Sequence, residues 1–130
     1  MKKISLLTKI IFHSFNIGLI LLYIYPGSIM GWLIYKDFQK QPQITMDFAI
    51  FSSNHVYAFF FLSLLGVFAY TNGKTKILFI YLFLISIILE LFHGFIPKRS
   101  FEYSDLLGNF LGVLIIFIIF SIFNIIKKYK

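Results

Sequence analysis

Glu90, His93, Arg99, Asp105 and Asn109 follow one another closely across the end of one apolar run and the start of the next, and His55 lies in an earlier apolar run behind Ser52, Ser53 and Asn54. A carboxyl and an imidazole can pass a proton between them, a guanidinium can grip a carboxylate or phosphate, and an amide can donate and accept at once. Glu90, His93, Gly94 and Pro97 fall at i, i+3, i+4 and i+7, so a helix carries them on one face. Imidazole and carboxylate together also suit a transition metal. However, Glu90-x-x-His93, with His55 and Asp105 as its possible neighbours, supplies only one such pair where bundle metal centres use several inward carboxylates and histidines, so no metal and no cofactor is expected.

The elements that hold these residues are membrane spans. Hydrophobic residues make up 59% of the chain and mean hydropathy is +0.87, which leaves too little polar surface to face water all round. With roughly 20 residues needed per crossing, the 130 residues form a single all-α domain, a four-helix transmembrane bundle with no room for a soluble catalytic domain. The expected spans cover residues 9–25, 48–71, 76–96 and 105–126, punctuated by Pro26-Gly27-Ser28, Asn72-Gly73 and Pro97. None of these blocks alternates apolar and polar residues as a barrel strand does. No small-residue cleavage site follows the lysine-flanked first span, which is therefore read as retained. The absence of cysteine excludes disulfides, thiol nucleophiles and Cys-ligated metals.

Charge sets the expected orientation. Lys2, Lys3, Lys9, Lys74, Lys76, Lys127, Lys128 and Lys130 gather on one side, whereas Asp37, Asp47, Glu102 and Asp105 share the other with only Lys36, Lys40, Lys98 and Arg99. The positive-inside rule places both termini in the cytoplasm and the 26–53 and 97–104 connections outside. The net charge of +7 then reports topology and contact with anionic lipid, and no nucleic-acid partner is implied.

On that topology Glu90 sits roughly 10 Å inside the outer boundary, with His55 and Asn109 at similar depth. Charged groups at such depth are costly and turn inward, so His55, Glu90, His93, Arg99, Asp105 and Asn109 are the candidate polar cluster. Each also has a plainer reading: a buried structural pair for Glu90 and His55, snorkelling for Arg99, helix capping for Asp105 and hydrogen bonding for Asn109. Ser104, Gly108 and Gly112 form a small-residue face, matched by Ala58 and Gly66 in the second span and by Gly94 in the third, suited to close helix packing. His13 and Asn16 lie at the opposite end and read as helix-contact residues. Met30, Leu33, Ile34 and Phe38 recur at helical spacing with Trp32 and Tyr35 nearby, which predicts a short interfacial helix, either a simple connector or a lid over the cluster.

His55-Val-Tyr-Ala58-Phe-Phe, Glu90-Leu, and Arg99-Ser-Phe-Glu-Tyr-Ser-Asp105-Leu-Leu-Gly-Asn109-Phe-Leu-Gly112 resemble the VanZ-like membrane protein family over spans two to four. The family usually has an Asp-Lys pair where this chain has Phe51-Ser52-Ser53-Asn54, and Gln at the place of His93. The resemblance implies a multi-pass protein of the bacterial cytoplasmic membrane and a link to resistance against teicoplanin-type glycopeptides, with membrane lipids, a lipid-linked envelope precursor or a lipoglycopeptide as partner. No catalytic residue comes with it. An intramembrane enzyme using Glu90 as acid or base with Arg99 on a phosphate, and a structural subunit of a larger assembly, stand as alternatives.

Overall fold

In the computed structural model, which describes residues 2–70 and 73–129, the apolar runs wind into five helices: α1 (Lys2–Ile24), α2 (Ile29–Tyr35), α3 (Ser53–Ala69), α4 (Thr75–His93) and α5 (Tyr103–Lys128). No β-strand forms among the described residues; a lone bridge joins Phe48 and Phe51. The expected end of the second span at Thr71 and its turn at Asn72 lie outside the described residues. Three helices are long and apolar enough to cross a membrane: Leu6–Ile24 within α1, α4 and α5. Their outer faces carry exposed large apolar side chains such as Leu21, Leu84 and Ile119, which suits a hydrocarbon surround.

α3 differs from the expected second span. It starts at Ser53, five residues after Phe48, because Phe48 and Phe51 exchange two backbone hydrogen bonds of 2.9 Å in a tight turn, with Ala49 in the left-handed region. The Asp47 carboxylate then accepts the Ser53 N–H at 2.9 Å and fixes where the helix begins. The resulting 17 residues rise about 26 Å, short of the roughly 30 Å of a hydrocarbon core. α1, in contrast, begins at Lys2, ahead of the expected Lys9, since lysine is a good helix former and hydropathy marks only where the apolar stretch starts.

The four longer helices alternate in direction. One end of the bundle gathers the start of α1, the α3–α4 connection and the end of α5; the other gathers α2 and the 94–102 connection. We call these the terminal end and the loop end. Between them Phe59, Leu62, Leu82 and Val113 are fully buried. α3 and α5 form the tightest pair: a Cβ on Gly112 would stand 2.5 Å from the Val56 carbonyl oxygen, and one on Gly108 2.7 Å from that of Ser52. The small-residue face thus lets two backbones touch, as the spacing predicts. Ser104 joins the same contact through its carbonyl, which accepts the Ser52 N–H at 3.0 Å.

α2 is the predicted short helix. Ser28 caps it, its Oγ accepting the Gly31 N–H at 2.9 Å, and Lys36 ends it in the left-handed region. Gly27 adopts φ +107°, a turn that glycine makes without strain.

Candidate functional site

At the loop end, ends of α1, α3, α4 and α5 bring Tyr23, His55, Glu90, His93, Asp105 and Asn109 together. Asn109, fully buried on the first turns of α5, is the anchor. Its Nδ2–H donates to the Ser86 carbonyl of α4 at 3.2 Å, so its Oδ1 must be the acceptor for the Tyr23 hydroxyl at 2.6 Å and for His55 Nδ1 at 3.0 Å. That arrangement puts the ring hydrogen of His55 on Nδ1, and the Tyr23 oxygen lies 3.0 Å from the same nitrogen. His55 Nε2 then faces Asp105 Oδ2 at 3.2 Å.

The second imidazole is fixed in a similar way. His93 Nε2–H donates to the Tyr23 carbonyl oxygen at 3.1 Å, and its ring stacks on that of Tyr23 with centroids 5.4 Å apart. His93 Nδ1 lies 3.2 Å from Glu90 Oε2 without a hydrogen bond, and Oε2 has no hydrogen-bond partner among the described residues. Glu90 Oε1 accepts the Glu102 N–H at 3.1 Å, which ties the carboxylate to the start of α5. With the whole side chain buried, the bare oxygen is the unsatisfied point of the site.

Arg99 stands beside the cluster without an ion pair. Its guanidinium donates to the carbonyls of Leu22, Tyr25 and Gly27 at 3.0, 3.3 and 2.6 Å, covering the negative end of the α1 dipole. Free carbonyls at the end of α1 and just beyond it lie within reach and take these donors in place of a carboxylate. Burial lowers the guanidinium from its ordinary value, opposed by Tyr23, Glu90 and Asp105 in that order, and it stays cationic.

The other expectations divide. Asp105 is in the first turn of α5, as a dipole-complementing acid should be, yet it also faces His55. Gly66 is buried against Leu78 and Phe12, whereas Ala58 is half-buried at the edge of the core and lines a cavity. Gly94 is a correction: it caps α4, and a Cβ there would meet only the Leu91 oxygen of its own turn, so no helix packs on it. Tyr23 was not expected at all, because a tyrosine near a span end reads as an interfacial anchor.

Two cavities border the cluster. One of about 480 Å³ is walled by Leu19, Leu22 and Tyr23 of α1, Met30, Ile34 and Tyr35 at α2, and Asn54, His55, His93 and Arg99. Its lining is largely apolar, and α2 forms one side. A second, of about 420 Å³, reaches Asp105, Glu102, Ser100 and His93 from the 94–102 connection. One carboxylate oxygen each of Glu90 and Asp105 and one nitrogen of His55 lie within 4.8 Å of one another. Of the four residues whose types suit a metal, His55, Glu90, His93 and Asp105, these three come together and His93 stands apart. No family model, curated protein or solved structure matches the chain.

Proposed function

We propose that this chain is a VanZ-like integral membrane protein of the bacterial cell envelope, with α1, α3, α4 and α5 as four spans, both termini cytoplasmic and the loop end at the extracytoplasmic surface. In this reading the larger loop-end cavity takes the polar part of an amphiphile, an envelope lipid or a lipid-tailed glycopeptide, and so alters how such compounds engage the outer face of the membrane. The observation that carries it is the convergence of ionisable side chains from three helices beside an apolar cavity under α2, since charge at such depth is a functional candidate by default. The lysines of the terminal end and the acids of the loop end support the sidedness. α3 completes its crossing with the Ser52 and Phe51 backbone, held against α5 through Ser104.

Binding is favoured over catalysis because one nitrogen of each imidazole is tied to a neighbour, His55 Nδ1 to Asn109 and His93 Nε2 to the Tyr23 carbonyl, and three Arg99 N–H groups are held by the Leu22, Tyr25 and Gly27 carbonyls, which turns the guanidinium away from Glu90 and Asp105. A purely structural subunit is less favoured, since Gly108 and Gly112 are already filled by α3. Glu90→Gln tests the reading, because it keeps shape and removes charge. The variant should accumulate in the membrane while cells lose protection against teicoplanin-type compounds; unaltered susceptibility at equal protein level would remove the cluster from the function.

A further inference from the structure

We propose that His55, Glu90 and Asp105 form a site for a first-row divalent cation, with Zn²⁺ as the representative ion. The inference stands on the side chains alone and is independent of which amphiphile, if any, the cavity takes.

The three donor atoms come from α3, α4 and α5 and already lie within 4.8 Å of one another, with His55 Nε2 and Asp105 Oδ2 at 3.2 Å. Ligands of a tetrahedral ion at bond lengths of about 2.1 Å stand about 3.4 Å apart, so closure on an ion needs movements of about 1.4 Å or less. The imidazole is prepared for it. Because Asn109 Oδ1 requires the ring hydrogen on His55 Nδ1, the lone pair sits on Nε2 and points toward the carboxylates. A ligating histidine held through its other nitrogen by a carbonyl oxygen is the usual outer arrangement of metal sites.

A second, separate observation points to a missing cation. Glu90 is fully buried, one of its oxygens has no hydrogen-bond partner among the described residues, and a second carboxylate stands close by. Two carboxylates around a neutral imidazole carry the charge a divalent ion neutralises, and imidazole with carboxylate suits the borderline metals. Glu90 Oε1 is already held by the Glu102 N–H at 3.1 Å, which orients that ligand. Asp105 lines the 420 Å³ cavity at the loop end, which gives the ion a route in and leaves a fourth coordination position open toward it.

The test uses the full-length chain purified in detergent, stripped with a chelator and titrated with Zn²⁺, with Mg²⁺ as the comparison ion. One equivalent of Zn²⁺ should bind saturably, and His55→Gln and Asp105→Asn should each weaken it at least about tenfold, while His13→Gln at the terminal end leaves it unchanged. To separate lost ligation from lost folding, Asp105→Cys is loaded with Co²⁺. The chain has no cysteine of its own, so a sulfur-to-cobalt charge-transfer band would place that side chain on the metal. Absence of a saturable Zn²⁺ site in the unaltered protein, uptake indifferent to His55→Gln and Asp105→Asn, or a Co²⁺-loaded Asp105→Cys protein without the band would each overturn the assignment.

Discussion

The two ends of the bundle solve the same problem differently. At the terminal end, His13 meets the Tyr70 hydroxyl at 2.8 Å, with the Lys9 ammonium over the Tyr70 ring, and Asn16 Nδ2 donates to the Tyr81 hydroxyl at 2.6 Å: pairwise contacts between α1 and its neighbours, with no carboxylate in either hydrogen bond. At the loop end, one asparagine serves three partners and two imidazoles face two carboxylates. Isolated pairs of polar groups are the ordinary way helices recognise one another in hydrocarbon, where each is worth about 1 kcal/mol. A shared, charged network is expensive to hold and couples its members. Burial of a polar residue alone therefore says little about function; connectivity and charge separate the ends.

That contrast can be broken first at its anchor. Asn109→Leu removes the acceptor for Tyr23 and His55 and the donor to Ser86, so three buried polar groups each lose a partner; a loss of about 3 kcal/mol is expected, read as reduced thermal stability in detergent. A loss no larger than that of a single pair would show the network to be no more than a sum of contacts. Tyr23→Phe should cost less, about 1–2 kcal/mol, because the ring still stacks on His93 and only the hydroxyl is lost. Asn16→Leu should change stability by less than about 1 kcal/mol, since it also removes the Oδ1 that is buried without a partner. If the same unfolding measurement ranks Asn16→Leu level with Asn109→Leu, the two ends are energetically alike and the comparison fails.

How far the sequence reveals this molecule depends on whether the relevant spacing is local. The spans of α1, α4 and α5 are written in long apolar runs, and α2 in the recurrence of Met30, Leu33 and Ile34, although Phe38, read as part of the same helix, lies past its end at Tyr35. The Gly108 and Gly112 face is legible because four-residue spacing has one geometric meaning. The start of α3 is not, since it depends on Asp47 reaching Ser53 across a turn that hydropathy does not register. Membership of the cluster is readable from the cost of burying charge, but the pairing within it is not. Glu90-x-x-His93 is visible as a same-face pair, whereas the approach of His55 to Asp105 joins residues 50 positions apart. Arg99 illustrates the same limit: its partners at Leu22, Tyr25 and Gly27 are backbone carbonyls, which carry no side-chain signature.

The backbone contact of α3 with α5 has a mechanical consequence. Two helices whose main chains meet at Gly108 and Gly112 cannot slide without collision, so they act as a post. α1 is held instead by side chains, Phe12, Leu19 and Tyr23 in the core, with the Arg99 and Tyr23 bonds near one end and the His13 and Asn16 bonds near the other. Polar bonds worth about 1 kcal/mol apiece release one at a time. Displacing α1 thus loosens contacts step by step, whereas displacing α3 along α5 drives main chain into main chain at once.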